Sequence, residues 1–167
     1  MDDFLGALNK ERVAGLSITQ ARPEEAGMLS SIALHSKASW GYPVEWLEAW
    51  KEQLVISPSY ISENYVCVAR INDSQRGFYA LSGASPIVLE HLWVLPLWQK
   101  KGIGRALFSD ALVRARAAGH AEVRIEADPN AEGFYLAMGA RRIGLRESYT
   151  CGTRRQLPVM TISLLES

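Results

Sequence analysis

Gln99-Lys100-Lys101-Gly102-Ile103-Gly104-Arg105-Ala106 lies between a predicted strand and a predicted helix. The first N–H groups of a helix have no partner within it, and the helix dipole adds partial positive charge at the same end. The two glycines have no Cβ that would collide with a bound anion, and two lysines and an arginine add positive charge. The stretch therefore predicts a binding turn for phosphate groups, most naturally a diphosphate. A glycine-rich helix start with solvated lysines is the alternative.

Two other phosphate-binding motifs are excluded. A dinucleotide-binding Rossmann motif needs a third glycine three residues after Gly104, where this chain has Leu107. A P-loop needs Gly-Lys followed by Ser or Thr, which this stretch lacks.

The elements around this stretch predict a parallel pair of strands. Ile87–Val94 is rich in β-branched and aromatic residues and reads as a strand. Apolar residues recur at helical spacing from about Gly104 to Ala118, and Glu122–Ala127 reads as the next strand. A strand, a helix and a strand in this order predict a parallel pair joined by a right-handed crossover.

The whole chain predicts an α+β fold, in which a mixed, mostly antiparallel sheet of seven strands has helices on both faces. Helices are expected from Pro23 to about Ser36, from Pro43, and from Asp128 to Met138, and a loop is expected around Gly152–Pro158. The remaining strands are expected at Leu16–Ala21, Tyr65–Arg70, Phe78–Leu81, Arg141–Ser148 and Met160–Leu164.

Length and charge limit the class of protein. The chain has 167 residues, which suits one domain at 16–167 after a lead-in at 1–15. The 18 lysines and arginines balance the 18 aspartates and glutamates, so we expect no nucleic-acid partner and no membrane surface. There is no secretory signal pattern and no apolar run of about 18 residues, so a cytoplasmic location is expected. The two cysteines give no metal signature, and Cys67 lies in an apolar run typical of a buried thiol.

A second stretch, Asp128-Pro129-Asn130-Ala131-Glu132-Gly133-Phe134-Tyr135-Leu136-Ala137-Met138-Gly139-Ala140, follows about thirty residues after the first. Together the two stretches resemble the motifs of the GNAT superfamily of acyl-CoA-dependent N-acetyltransferases. The order of elements agrees with that superfamily from roughly Leu16 to Leu165. The resemblance implies acetyl-CoA as co-substrate and no metal, and it implies that the fourth strand splays from the fifth.

The resemblance also implies how the co-substrate is bound. The backbone of Leu92, Trp93 and Val94 would pair with the pantetheine arm, and the Val94 N–H would polarise the thioester carbonyl. Asn130 would contact the arm as well. The diphosphate would be bound by Gln99, Lys100, Lys101, Gly102, Ile103, Gly104, Arg105 and the adjoining Ala106.

The resemblance implies that Tyr135 protonates the leaving thiolate, whereas its spacing alone also fits an aromatic residue of the core. An amine must lose a proton before it attacks, and Glu90, His91 and Glu126 are the candidate bases, with Glu90 ranked first. Solvated charges at the edge of the sheet, with water as the base, are the alternative. Strict alternation puts Glu90 and Leu92 on one face, unless a bulge, which is frequent in this strand of the family, shifts the register.

The acceptor side is expected near 35–43 and 151–158. Trp40 and Tyr42 are the candidate substrate-binding residues, as an aromatic wall or as part of the core. Arg154 and Arg155 are candidates for binding a carboxylate or phosphate, or a solvated pair.

The predicted activity is direct acetyl transfer to a primary amine in a ternary complex, since no cysteine stands in the motif to carry the acetyl group. A small-molecule acceptor is favoured because the chain has no net charge. A protein N-terminus, a lysine side chain and a non-catalytic acyl-CoA sensor are the alternatives. Homodimers are common in the superfamily, and the sequence leaves the oligomeric state open.

Overall fold

A seven-stranded sheet runs through the protein, which is described here by a computed structural model covering residues 13–165. Its order is β1-β2-β3-β4-β5-β7-β6, and β4 and β5 are parallel while all other neighbours are antiparallel. The strands are β1 (Leu16–Gln20), β2 (Tyr65–Ile71), β3 (Ser74–Ser82), β4 (Ile87–Val94), β5 (Glu122–Glu126), β6 (Arg141–Thr150) and β7 (Thr153–Ser163). This confirms the predicted α+β class and the parallel pair.

Helices cover both faces of the sheet. One face packs against α1 (Ala26–Ala38), α2 (Val44–Trp50) and α3 (Pro58–Glu63), and the other packs against α4 (Ile103–Ala117) and α5 (Glu132–Ala137). Each face has its own apolar core. Strand residues alternate between the two, so that Phe78 contributes to the α1 side and Tyr79 to the α4 side.

The helix that follows the Gly-rich stretch forms for the predicted reason. Its apolar residues lie on one face and are all buried against the sheet: Ile103, Leu107, Phe108, Ala111, Leu112 and Ala115. Gly102 stands at its N-cap with φ +91°, a left-handed conformation that side chains disfavour. The helix start is therefore fixed at Ile103.

A bulge interrupts the pairing of β3 with β4. Ala80 pairs with His91 and Leu81 pairs with Leu89, so Glu90 is the extra residue. The bulge shifts the register of the strand as the sequence interpretation allowed.

Two elements differ from the sequence expectations. The expected loop around Gly152–Pro158 is wrong, because β6 and β7 form a hairpin whose turn is Cys151 and Gly152, with φ of +47° and +79°. Such a two-residue turn matches the twist of the flanking strands. The hairpin lies at the sheet edge, so its strand residues are largely exposed and their polar composition resembles that of a loop. The helix α3, in addition, was not expected beyond Pro58.

Cys67 is buried, as predicted. Most of the predicted lead-in, residues 1–12, lies outside the described residues. No helix within residues 13–165 combines the length and the apolar character needed to cross a lipid bilayer.

Candidate active site

The gap between β4 and β5 forms the candidate active site. The two strands pair only at Ile87–Val123, Val88–Arg124 and Leu89–Ile125, and beyond these pairs they diverge. A cavity of about 190 Å³, called the cleft below, lies in this gap among residues of α1, β4, α5, the β6–β7 hairpin and the segment after β5. A second cavity of about 350 Å³ lies at the start of α4, and it is lined by Val94, Gly104 and Phe134 among others.

The turn at residues 99–105 presents a run of backbone N–H groups at the start of α4. Lys100 and Gly102 both have left-handed backbones, with φ of +61° and +91°. The N–H groups of residues 100–105 have no hydrogen-bond acceptor among residues 13–165, and the first helical bond runs from Ala106 N–H to the Gly102 carbonyl. Consecutive unpaired N–H groups at a helix start are the usual donors to phosphate.

The side chains of this turn have distinct surroundings. Ile103 is buried in the core, so only its backbone can reach a ligand. Gln99 donates its side-chain amide to the Val94 carbonyl, 3.1 Å away. A Cβ at Gly104 would lie 3.6 Å from Phe134, an ordinary contact, so the protein itself does not require glycine there. Lys100 and Arg105 are exposed beside the second cavity.

The backbone of β4 faces the gap at alternate residues. Leu95 N–H bonds to the Arg76 carbonyl on β3. In an antiparallel pair the bonded residues alternate, so Trp93 also bonds to β3 while Leu92 and Val94 point the other way. The Val94 carbonyl accordingly accepts a bond from Ser36 Oγ at 2.7 Å, outside the sheet. The gap is therefore lined by main-chain groups of Leu92 and Val94.

Tyr135 lies on α5 beside the cleft. Its ring packs against Phe108 and Phe134, and only 6% of the residue is exposed. Its hydroxyl has no hydrogen-bond partner among residues 13–165. Burial raises the pKa of the phenol well above its usual value, and the nearby Asp128 carboxylate raises it further. The phenol is therefore protonated at neutral pH and free to donate.

Glu90 lines the cleft at the bulge of β4. Its carboxylate accepts a hydrogen bond from the Tyr60 hydroxyl of α3. Burial raises the pKa of Tyr60, and the Glu90 carboxylate raises it further. Glu90 is otherwise exposed, so it combines contact with the cleft and access to solvent.

His91 and Glu126 also line the cleft. Burial lowers the pKa of His91, with Glu90 and Lys37 acting in opposite directions. The His91 Nδ1 accepts a bond from the Trp93 indole at 3.0 Å, which places the single proton of the neutral ring on Nε2. Glu126 ends β5 and forms a partly exposed ion pair with Arg146 at 3.4 Å.

Asp128 is the centre of the polar contacts at the end of β5. Both of its oxygens accept from the Tyr42 hydroxyl at 2.9 Å, and one accepts from the Asn130 backbone at 2.8 Å. The Asn130 side chain donates to Asp128 and to Tyr42. Burial raises the pKa of Tyr42 to about 12, again aided by Asp128.

The aromatic residues near the cleft form one cluster. Tyr42 stacks on Trp46 at 5.8 Å and meets Trp50 edge-on at 4.9 Å. Trp40 packs against Trp93 of β4 and lines the cleft. Tyr42 thus packs within the aromatic cluster, whereas Trp40 belongs to the cluster and also borders the cleft.

Sequence reasoning did not single out Lys37 and Asp128, which line the cleft, or Ser36 and Tyr60, which bond to Val94 and Glu90. Asp128 was treated only as the residue that starts a helix, which it also does, because its side chain accepts from Asn130 N–H. Of the two candidate arginines, Arg154 is 59% exposed and pairs with Glu147, whereas Arg155 is 10% exposed and lines the cleft. Within residues 13–165 no group of His, Cys, Asp and Glu is arranged to hold a metal ion.

Comparison with known families decides the classification. A sequence model described as the acetyltransferase (GNAT) domain matches residues 25–152, well over half of the chain. The chain belongs to the GNAT acetyltransferase family. This GNAT protein is thus an acyltransferase that carries out acetyl transfer. Comparison with curated protein sequences finds no match.

Solved structures show the same fold. The GCN5-related N-acetyltransferase from Rhodopseudomonas palustris aligns with a TM-score of 0.78 and 21% identity, over 93% of this chain and 99% of that one. The PaiA N-acetyltransferase from Thermoplasma acidophilum, in complex with coenzyme A, aligns with a TM-score of 0.67 and 22% identity. The alignment covers 89% of this chain and 98% of that one. The putative acetyltransferase YncA from Salmonella typhimurium, with acetyl-CoA, aligns with a TM-score of 0.68 and 18% identity. The alignment covers 92% of this chain and 96% of that one.

Proposed function

We propose that this GNAT acetyltransferase transfers an acetyl group from acetyl-CoA to the primary amine of a small molecule, by direct attack in a ternary complex. The observation that carries the proposal is the gap between β4 and β5. Its wall is formed by main-chain groups of Leu92 and Val94, and the turn with unpaired N–H groups lies next to it. Two relatives of the same fold were solved with coenzyme A or acetyl-CoA.

The chain offers a group for each part of acetyl-CoA. The N–H groups of residues 103–105, with Lys100, Lys101 and Arg105 beside them, would bind the diphosphate. The backbone of Leu92 and Val94 would pair with the pantetheine amides in the manner of a strand, and Asn130 would contact the same arm. The thioester supplies an activated acyl group, and the Val94 N–H would donate to its oxygen as negative charge develops there.

Tyr135 is proposed as the general acid. A phenol held in its protonated form, with a hydroxyl that bonds to no other described residue, can give its proton to the leaving sulfur. The proton is needed because the C–S bond breaks with its electron pair on sulfur. General acid catalysis of this kind typically contributes on the order of 10² to 10⁴ in rate.

Glu90 is proposed as the general base that takes the proton of the attacking amine. It reaches the cleft, is open to solvent and is held by Tyr60. The neutral His91 can accept a proton only at Nδ1, where it would lose its bond from Trp93. Glu126 is engaged with Arg146. His91 and Glu126 are kept as second candidates.

The cleft supports a small acceptor. Its volume of about 190 Å³ is modest, and its walls come from α1 and from the β6–β7 hairpin. Trp40 and Tyr42 would contact the acceptor on the α1 side. A cytoplasmic location accords with an acetyl-CoA-dependent enzyme and is proposed with it.

Calorimetry with coenzyme A and thiol-release assays over a panel of small amines, peptides with free N-termini and lysine peptides test this function. Tight binding of coenzyme A and turnover with small amines are expected. Binding without thiol release from any amine would instead identify an acyl-CoA sensor. Turnover confined to peptides would assign a protein acceptor, and an absence of binding would overturn the assignment of the turn at residues 99–105.

A further inference from the structure

Two largely buried cations share one carboxylate in the lining of the cleft. Lys37 Nζ lies 3.4 Å from Asp128 Oδ2, and an Arg155 nitrogen lies 3.6 Å from the same oxygen. The side chains are 14% and 10% exposed, and Asp128 is 6% exposed. Both cations line the cleft. Lys37, Arg155 and Asp128 together therefore carry a net charge of one positive unit.

The hydrogen-bond donors here outnumber the acceptors. Asp128 Oδ1 already accepts from the Tyr42 hydroxyl and twice from Asn130, so both cations have to share Oδ2. The Arg155 guanidinium donates to the Tyr42 hydroxyl at 2.8 Å, and Lys37 has only its ion pair with Asp128 and contacts with aromatic rings. The other N–H groups of these two side chains have no hydrogen-bond acceptor within residues 13–165, so they are available to a ligand in the cleft.

The surroundings make these charges sensitive to a further partner. Lys37 Nζ lies 4.2 Å from the Trp50 ring centroid, and the Arg155 guanidinium lies 4.8 to 5.6 Å from the rings of Tyr42, Trp46 and Trp50. Burial lowers the pKa of Lys37, and the positive charge of Arg155 lowers it further, against the opposite effect of Asp128. An additional anion would thus meet two cations that are poorly solvated.

The lining of the cleft carries charges of both signs. Glu90 stands at the bulge of β4 on one side, and His91 lies within the influence of both Glu90 and Lys37. Glu126 and Arg146 line the cleft as well, but they neutralise each other. An acceptor with an ammonium group at one end and an anion at the other would match this distribution.

We propose that the acceptor amine also carries a carboxylate, as an amino acid does, and that Lys37 and Arg155 bind that carboxylate. The proposal rests on the proposed acetyl transfer and adds the substrate class. A monoanion is specified because the local excess is one positive charge. Arg155 provides the planar donor pair that suits a carboxylate.

The test compares pairs of acceptor amines, in which one member has a free carboxylate and the other has the corresponding carboxamide. The pairs include α-, β- and γ-amino acids, so that the distance between the amine and the carboxylate varies. Two readouts are used. Thiol release gives kcat/KM for each acceptor, and intrinsic tryptophan fluorescence gives binding, with and without coenzyme A. The proteins are the wild type, Arg155→Gln, Lys37→Gln and the matched control Arg154→Gln, which changes an exposed neighbour in the same strand. Thermal melts confirm that each variant is folded.

The wild type is expected to favour at least one carboxylate over its amide by roughly 30-fold or more, the loss typical when a buried charge loses its partner. Arg155→Gln and Lys37→Gln should bring this ratio close to one by lowering the rate with the acid and sparing that with the amide. Arg154→Gln should keep the wild-type ratio.

Equal use of acids and amides at every spacing would overturn the proposal and leave acetyl transfer intact. A preference that survives in both Lys37→Gln and Arg155→Gln would overturn it as well. If no amine is acetylated, the proposed function fails. The fluorescence titrations then test separately whether Lys37 and Arg155 bind a carboxylate. Acids binding no better than amides would reject that site.

Discussion

The hydroxyl of Tyr60, on α3, donates a hydrogen bond to the carboxylate of Glu90 at the bulge of β4. The two residues are 30 positions apart in the chain. The bulge makes Glu90 the unpaired residue of β4, and the bond to α3 fixes the side chain beside the cleft. This contact distinguishes Glu90 from the other candidate bases, which are bound to Trp93 or Arg146.

Replacing Tyr60 with Phe is expected to lower kcat about three- to tenfold, because Glu90 loses the bond that orients it while keeping its carboxylate. Steady-state kinetics with the best acceptor measure the effect. Tyr65→Phe, at an exposed tyrosine that starts β2, is the control and should behave like the wild type. A Tyr60→Phe enzyme with unchanged kcat would show that this bond does not position the base.

Glu90→Gln is expected to lower kcat by about 10² or more, because an amide cannot accept the proton of the amine. Glu126→Gln is the matched comparison and should retain most of the activity. The reverse result would assign the base to Glu126. Equal, full activity in both variants and in His91→Gln would leave water as the proton acceptor.

Tyr135→Phe is expected to lower kcat on the order of 10² with little change in the affinity for coenzyme A, because only the hydroxyl proton is removed. Since burial raises the pKa of Tyr135, the wild type should show no loss of this acid up to about pH 9. Tyr149→Phe, at an exposed tyrosine of β6, is the control. Acetyl transfer at the full rate in Tyr135→Phe would rule out the acid role.

Gly104→Ala is expected to weaken the binding of coenzyme A about tenfold or more without loss of folding. The added methyl group would lie 3.6 Å from Phe134, which the protein accommodates, but it would occupy space at the helix start. Alanine in a helix is otherwise more stable than glycine by up to about 1 kcal/mol. Gly27→Ala in α1, where a Cβ meets nothing within 4 Å, should leave calorimetric binding unchanged.

Glu25→Gln is expected to reduce the free energy of unfolding at pH 7 by about 2 to 3 kcal/mol. Arg70 lies 2.6 Å from the Glu25 carboxylate, and its hydrogen bonds, with those from Arg22 N–H and Gln75, lower the pKa of Glu25 from 4.5 to about 2. A lowered pKa means that the native state binds fewer protons than the unfolded state. The contribution is therefore complete above about pH 4.5 and is lost as the pH falls towards 2.

Urea denaturation of wild type and Glu25→Gln between pH 7 and pH 2.5 measures this difference, which should shrink at the acid end. Glu24→Gln, at the exposed neighbour in the same turn, should lose no more than about 0.5 kcal/mol. A difference between wild type and Glu25→Gln that stays constant with pH would contradict the proposed origin of the stability.

Local patterns were enough to predict the order of the elements, apart from α3, and the position of the turn at residues 99–105. The spacing of apolar residues in α4 and the glycines before it are local features. They can therefore be recognised in the sequence. The hairpin of β6 and β7 was missed at its tip because polar residues suit an exposed edge strand as well as a loop. The position of the turn depends on the left-handed backbone of Cys151, a conformation that a cysteine side chain does not indicate.

The cluster of Lys37, Asp128 and Arg155 could not be predicted in the same way. Arg155 contacts Tyr42 across 113 positions of the chain, and Lys37 meets Asp128 only because α1 packs beside the end of β5. Arg154 and Arg155 look equivalent in sequence, yet alternation along β7 exposes one and buries the other. Such differences follow from register, which only the assembled sheet determines.

Where β4 diverges from β5, main-chain groups of β4 border the gap together with the side chains of the cleft. Alanine scanning along β4 would leave the amide of residue 94 in place and would pass over it. Replacement of that amide by an ester, through chemical or semisynthetic means, exchanges the N–H for an oxygen and keeps the isopropyl side chain. Among the encoded amino acids only proline lacks that N–H, so the proposed donor to the thioester oxygen lies beyond ordinary side-chain substitution.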